Sequence, residues 1–331
     1  MPEIGRLLSD KLWFYPHYTG NGYQALIYEP LTHQGCDLQR IKSAEVATLQ
    51  ALPSMDDQSI VLHIRLLNAL FKGIDSTDYE RRVWEVQISL TRLRQRGLKI
   101  WWTVHNRVSH ECANPEAEIK LRRWLADFVD RLFLQHPLAE HLLEWLPYSA
   151  KPELWEHPRY PVKPISEAQR RQVRQSLSVG DDETLISHLG KIRPYKGLAD
   201  HLPALLERLQ QNPNEKLPVA GSIEDPAVSK LLNGLRTNDQ VVSKPDRIPA
   251  DTLDGWLQAA DVGFLCYRDI LTSGTLHHMR AAGLRIMAPI QGVLGADLLR
   301  QEGYTATTDI AHKYVHRSAE NFNAKSVKED R

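Results

Sequence analysis

The sequence predicts an α/β protein of two domains, each a parallel sheet covered by helices. Three observations predict it. The chain has 331 residues, long for one compact domain and comfortable for two. Short apolar runs of strand length alternate with helical patterns in both halves, the order that builds parallel sheets with helices on both faces. A Pro-rich segment, 151–166, carrying Pro152, Pro158, Pro161 and Pro164, interrupts the alternation and favours extended chain at a domain boundary. The expected architecture is two Rossmann-like domains facing a central cleft, with ligand beyond the carboxyl ends of the strands.

The elements follow in order. "KLWFYP" (11–16) leads into "GNGYQALIYEPL" (20–31), and the strand "SIVLHIR" (59–65) leads into a helical stretch. The segment 78–97 sets Val83, Trp84, Val86, Ile88, Leu90 and Leu93 among arginines and reads as a helix ending at Gly97. "LKIWWTVHN" (98–106) is a buried strand, 115–130 a helix and "RLFLQHP" (131–137) a strand. Beyond the Pro-rich segment, helices are expected at 165–177, 197–211, 224–235 and 250–260, with strands at 182–190, 216–221 and 240–244 between them. "DVGFLC" (261–266) is a short buried strand and 274–283 a helix stopped by Gly283. The polar end, from about 310, reads as a short helix at best and then a frayed terminus.

Composition narrows the function. Hydrophobic residues make up 42% and charged residues 25%, an ordinary globular balance. Lys plus Arg and Asp plus Glu both number 41, so no basic field supports bulk nucleic-acid binding. Cys36, Cys112 and Cys266 are odd in number and far apart, with no disulfide or zinc spacing, which points to a reducing cytoplasm. The opening residues lack the apolar core of a signal peptide, and no run is long enough to span a membrane. The 14 histidines form no metal-ligand spacing.

Two stretches carry chemistry. In "YRDILTSGTLHHMRAAG" (267–283), Thr272 and Ser273 stand where a helix N-cap belongs, with Gly274 opening the helix. Unpaired N–H groups and the helix dipole there suit an anion. In "ISHLGKIRPYKGLADHL" (186–202), Gly190 ends a strand, and Lys191, Arg193 and Lys196 follow at a strand-to-helix junction. Three cations in such a loop suit a diphosphate, Arg bidentately and Lys as a point charge. A solvated basic loop is the plain alternative. No Walker loop is present.

With "TVHNRVSHE" (103–111) before them, "GKIRPYKG" and "DRIPADTLDGWLQAADVGFLCYRDILTSG" (246–274) resemble bacterial glycosyltransferases of the GT-B superfamily, the kind that build exopolysaccharide or capsule repeat units. The resemblance spans roughly residues 10 to 300. It implies an acceptor domain over 1–160, a nucleotide-sugar domain over 161–310 and a polar tail over 311–331. It puts Lys191 and Lys196 at diphosphate-binding positions and Thr272, Ser273 and Gly274 in the loop facing the diphosphate, so the anion expected there is the donor's. Gly221 and Ser222, after another strand, line the same site, and Ile248 falls where the base is contacted through the backbone. The loop Gly20-Asn21-Gly22, whose glycines admit close backbone approach, falls near the acceptor or donor phosphate, a plain tight turn being the alternative. UDP- or GDP-sugar is the implied donor, and no tightly bound cofactor or metal is needed.

The chain departs from that pattern in one place. Retaining members carry two Glu separated by seven residues, which here fall on Ile270 and His278. Asp269, one residue away, is a candidate sugar-hydroxyl partner. His278 is either a ribose contact or a packing histidine. The missing pair favours inversion, which needs a base for the acceptor hydroxyl. Glu111 and His110 rank ahead of His105, which also suits a loop-shaping hydrogen bond. The implied acceptor is a glycan or polyprenyl-diphosphate-linked saccharide at the inner face of the cytoplasmic membrane, with the arginine-rich helix around Trp84 as a peripheral membrane contact or simply a solvated face. Two other readings stand beside the transferase: a non-catalytic binder of nucleotide sugar or glycan, and a GT-B nucleotide-sugar epimerase.

Overall fold

The structure, a computed structural model, describes residues 11–42, 49, 60–110, 112–139, 146, 152–246, 248–267, 270–289, 304–307 and 314–317. Its contacts divide the chain into two compact units, Met1–Pro158 and Arg159–Arg331.

The first unit is built on β1 (Lys11–Tyr15), β2 (Asp37–Arg40), β3 (Ile60–Ile64), β4 (Lys99–Val104), β5 (Arg131–Leu134) and β6 (Glu153–Leu154). They form one sheet in the order β2-β1-β3-β4-β5-β6, parallel throughout. Helices α1 (Gly22–His33), α2 (Tyr79–Gln95) and α3 (Pro115–Phe128) connect strands. All five residues of β3 are buried, as expected of a strand covered on both faces. Its central His63 is satisfied inside the core, with Nδ1 2.8 Å from the Tyr28 hydroxyl and Nε2 2.7 Å from Thr103 Oγ1. On α2, Val83, Val86, Leu90 and Leu93 face inward while Trp84 is 62% exposed. Arg81 and Arg82 pair with Asp78 and Glu85 along the outer face. The Pro-rich segment begins inside this unit, because β6 completes the sheet before the chain runs on without regular structure to 166.

The second unit comprises α4 (Glu167–Ser176), β7 (Thr184–Leu189), α5 (Leu198–Gln211), β8 (Glu215–Ala220), α6 (Pro226–Gly234), β9 (Val241–Lys244), α7 (Ala250–Ala259), β10 (Val262–Phe264), α8 (Gly274–Ala281), β11 (Arg285–Pro289), β12 (Tyr304–Thr307) and β13 (Tyr314–Arg317). The sheet order is β12-β13-β11-β10-β7-β8-β9. Five strands, β9 to β11, run parallel, and β13 and β12 close one edge antiparallel. Alternate strand residues enter two cores. Leu185, Leu189, Leu265 and Ile286 join Leu257, Leu276 and Met279 in one, and Ile186, Phe264 and Met287 join Leu202, Leu205 and Val228 in the other. The strand at Tyr314–Arg317 falls in the stretch expected to hold a short helix at best. The open edge of β11 offers backbone partners that local composition does not reveal.

Each sheet has one point where strand order turns both ways. In the first unit it lies between β1 and β3, and in the second between β7 and β10. Such a switch point leaves a crevice at the carboxyl ends of the two strands.

Candidate functional site

The loops leaving β7 and β10 meet at the second unit's switch point. After β7 come Gly190 and the cationic loop, closed by a single 3-10 turn at Pro194–Lys196. Gly190 (φ 100°) and Gly221 (φ 129°) lie in a region that favours glycine. They also touch: a Cβ on Gly221 would sit 2.1 Å from the Gly190 carbonyl oxygen. The two loops continue as a zipper, Ile192 N donating to Ser222 O and Glu224 N to Ile192 O.

The three cations separate. Lys191 Nζ lies 3.0 Å from Glu224 Oε1, and Arg193 Nε donates to Glu224 Oε2 at 2.8 Å. Ser222 Oγ is 3.5 Å from the same carboxylate. The Lys191 hydrogen bond, helped by Arg193, holds the Glu224 carboxyl below its ordinary range. Lys196 instead turns inward and is 6% exposed. Its Nζ stands 5.6 Å from the centroid of the Tyr267 ring and 3.7 Å from where a Gly190 Cβ would be. No ion pair or side-chain hydrogen bond of Lys196 is present among the described residues. Beneath it His188 is buried, its pKa pushed down to about 3 by burial and by the Lys196 charge.

The loop after β10 supplies the other wall. Ser273 caps α8, its Oγ accepting from Leu276 N at 3.2 Å and donating to the Tyr267 hydroxyl at 3.3 Å. Tyr267 stacks on Tyr195 at 6.3 Å. Thr272 Oγ1 is buried with no partner among the described residues, and Gly274 opens the helix. Thus Gly190, Lys196, Tyr267, Ser273 and the first turn of α8 converge, a cation and a helix start in one crevice. The arrangement can hold an anion such as a diphosphate.

Other expected positions fall differently. His278 stacks on Tyr160 at 4.8 Å, and its Nε2 lies 2.7 Å from Asp254 Oδ1, so it ties α8 to α7 and to the chain entering this unit. Ile270 packs against the core, as does Ile248. Asp269 and Glu111 lie outside the described residues. Among these residues no cluster of His, Cys, Asp or Glu is arranged for a metal ion.

In the first unit the Gly20-Asn21-Gly22 loop leaves β1 at the switch point. Gly20 has φ 74°. Asn21 caps α1, its side chain accepting from Gln24 N at 3.2 Å. Buried Gln24 pins the loop, Nε2 donating to Pro16 O at 2.6 Å and Oε1 accepting from Tyr18 N at 2.9 Å. His105 is the first residue after β4, edge-on to Tyr23 at 5.6 Å, with Nε2 enclosed and unpartnered among the described residues. Burial, then the Arg65 charge, holds its pKa well below the ordinary histidine value. His110 is exposed. Arg65, Glu224 and Tyr267 are site residues that sequence reasoning did not single out. The signal for Arg65 is a cation directly after a strand that is apolar but for His63.

An α/β fold with two parallel-sheet units is the GT-B fold, and solved structures share it. HepE from Anabaena, solved in complex with UDP-glucose, matches 89% of this chain and 84% of its own, with TM-score 0.63 and 13% identity. Sucrose-phosphate synthase from Thermosynechococcus elongatus matches 73% of this chain and 59% of its own, with TM-score 0.53 and 18% identity. The pneumococcal O-GlcNAc transferase GtfA, solved with UDP and GlcNAc, matches 78% of this chain and 46% of its own, with TM-score 0.51 and 15% identity. At these identities the likeness is one of fold. No protein-family model matches the sequence, and no curated protein matches it.

Proposed function

We propose that the chain is a glycosyltransferase that moves a sugar from a nucleotide-diphosphate donor to a glycan or lipid-linked saccharide in surface polysaccharide assembly. One observation carries the reading. Lys196 is buried, with no carboxylate partner among the described residues, where the start of α8 also arrives. A buried cation is costly unless paired, and the diphosphate of a UDP- or GDP-sugar is the partner its place in the fold suits. The fold neighbours HepE and GtfA, each solved with UDP or a UDP-sugar, support that donor class. Lys191 and Arg193 then form the outer rim, held ready by Glu224.

In this reading the leaving diphosphate is neutralised by Lys196 and the helix start. Ile270 and His278 stand where retaining enzymes carry their acidic pair, which favours inversion. The base then comes from the segment after β4. Burial and the Arg65 charge disfavour protonation of His105, so Glu111 and His110 remain the leading candidates and His105 serves as a hydrogen-bonding group. Exposed Trp84 on the arginine-bearing face of α2 is the point where the protein would touch a membrane surface.

Product analysis with UDP- and GDP-sugars separates the readings. Sugar transfer to a saccharide acceptor, with slow donor hydrolysis in its absence, is the expected result. Donor epimerisation without acceptor, or binding without turnover under any acceptor, would replace it with the epimerase or the binding protein.

A further inference from the structure

The first unit buries a second cation with no ion pair among the described residues, and no step above uses it. Arg65 follows β3 directly, at the switch point between β1 and β3. It is 2% exposed. Its Nε and Nη1 are enclosed without a hydrogen-bond partner, and no ion pair of its guanidinium is present among the described residues. The group lies over the Tyr23 ring, 4.6 Å from the centroid. His105, also in contact with Tyr23, aims an unpartnered Nε2 into the same region. Arg65, His105, Asn106 and Ser109 line one small cavity.

The nearby carboxylate is already used. Glu118 is fully buried and accepts from Arg122, from the Ser109 N–H and hydroxyl, and from the Tyr79 hydroxyl. Arg122 thereby has its counter-charge, and Arg65 has none among the described residues. The field of Arg65 reaches His17, His63, His105 and His157, and in each case it opposes protonation. Arg40 and Lys42 add to it at His17. A positive pocket at a topological switch point, with enclosed donors unmet, is built for an oxyanion. The planar fork of Arg matches phosphate oxygens two at a time. The Gly20-Asn21-Gly22 loop and the first turn of α1, which contains no acidic residue, leave the same switch point.

We propose that Arg65, with His105 Nε2–H beside it, is an oxyanion receptor of the N-terminal unit that takes a phosphate group of the acceptor. The assignment to the acceptor rests on the glycosyltransferase reading, in which the donor diphosphate occupies the other unit. It narrows the acceptor from any glycan to a phosphate-bearing one, such as a saccharide on a diphosphate carrier.

The test uses the full chain at low ionic strength in a Lys196→Ala background, which silences the donor crevice. Inorganic pyrophosphate is titrated, with glucuronate as the carboxylate arm, and the His105 ring nitrogens are followed by NMR alongside thermal unfolding. Pyrophosphate should shift the His105 signals and raise the melting temperature, with at least tenfold weaker binding when Arg65→Met is added. Arg65→Met should itself melt no lower than its parent, because an uncompensated buried charge has been removed. If Arg65→Met does not fold, Arg65→Lys is read instead, and at least fivefold weaker binding is expected. Pyrophosphate binding unaffected by either variant, no pyrophosphate binding, or a response to glucuronate alone would overturn the proposal. UDP binding to the unmodified chain is read separately. Its failure with Arg65-dependent pyrophosphate binding intact would remove the transferase reading and leave the anion site, and the reverse result would remove the anion site alone.

Discussion

Lys196 and Arg65 both carry their cationic groups into places where burial is expensive, and among the described residues neither has a carboxylate to offset it. Tyr267 and Tyr23 soften the cost through their ring faces. Glycines admit the backbone that frames Lys196. Gly221→Ala would press a Cβ into the Gly190 carbonyl and hold an alanine at φ 129°. We expect a loss of about 2 kcal/mol or more of stability, read as a lower urea midpoint, together with weaker nucleotide binding as the β7 and β8 loops separate. The loops themselves were legible in the sequence, since glycines, cations and an N-cap serine mark strand-to-helix junctions. How the cations divide was not. Glu224 lies 31 residues from Arg193, and only the parallel pairing of β7 with β8 brings it to Lys191 and Arg193. Arg65 was hidden for a related reason, because a lone arginine after a strand gains its meaning only from what fails to meet it in space.

Among the elements, α4 shows how a short, highly polar helix is anchored. Ser166 and Gln169 form a reciprocal capping box at its start. Near its end Arg174 is 1% exposed and donates to Gly180 O, Glu183 O, Ala259 O and Asp261 Oδ2. One guanidinium thus fastens the helix to the entry of β7 and the end of α7. Arg174→Ala strands several buried carbonyls and should cost about 3–5 kcal/mol. Arg171→Ala, which removes a pair between two exposed side chains, should stay within about 0.5 kcal/mol. Matched urea denaturation curves of the two variants check the contrast. Strand–helix alternation made these elements readable from sequence. The strand at Tyr314–Arg317 was not readable, because an antiparallel strand added beyond β11 is recruited by its neighbour's free backbone groups rather than by its own pattern.

Across the whole molecule, both units bury neutral histidines. Burial pushes the pKa of His63 and His188 down to about 3 and that of His157 to about 4, from an ordinary 6.5. Each folded value lies below the unfolded one, so the folded state binds fewer protons. The stability these groups permit is complete above pH 6.5 and is lost as pH falls from there towards 3. Each group adds a slope of about 1.4 kcal/mol per pH unit in that window. Melting temperature should therefore be flat just above neutrality and fall steeply below pH 6, with His63→Gln reducing the slope. A profile that is flat down to pH 4 would contradict the buried, neutral assignment.

The central claim is that the crevice around Lys196 holds the diphosphate of a nucleotide-sugar donor. Its most direct test is thermal unfolding of the unmodified chain and of Lys196→Ala with UDP, GDP, ADP and CMP, each with and without magnesium. We predict that UDP or GDP stabilises the unmodified chain, by about 2.7 kcal/mol at a concentration 100 times its dissociation constant. The shift should be indifferent to metal and largely lost in Lys196→Ala. A nucleotide shift of equal size in both proteins, or none with any nucleotide, would contradict the account.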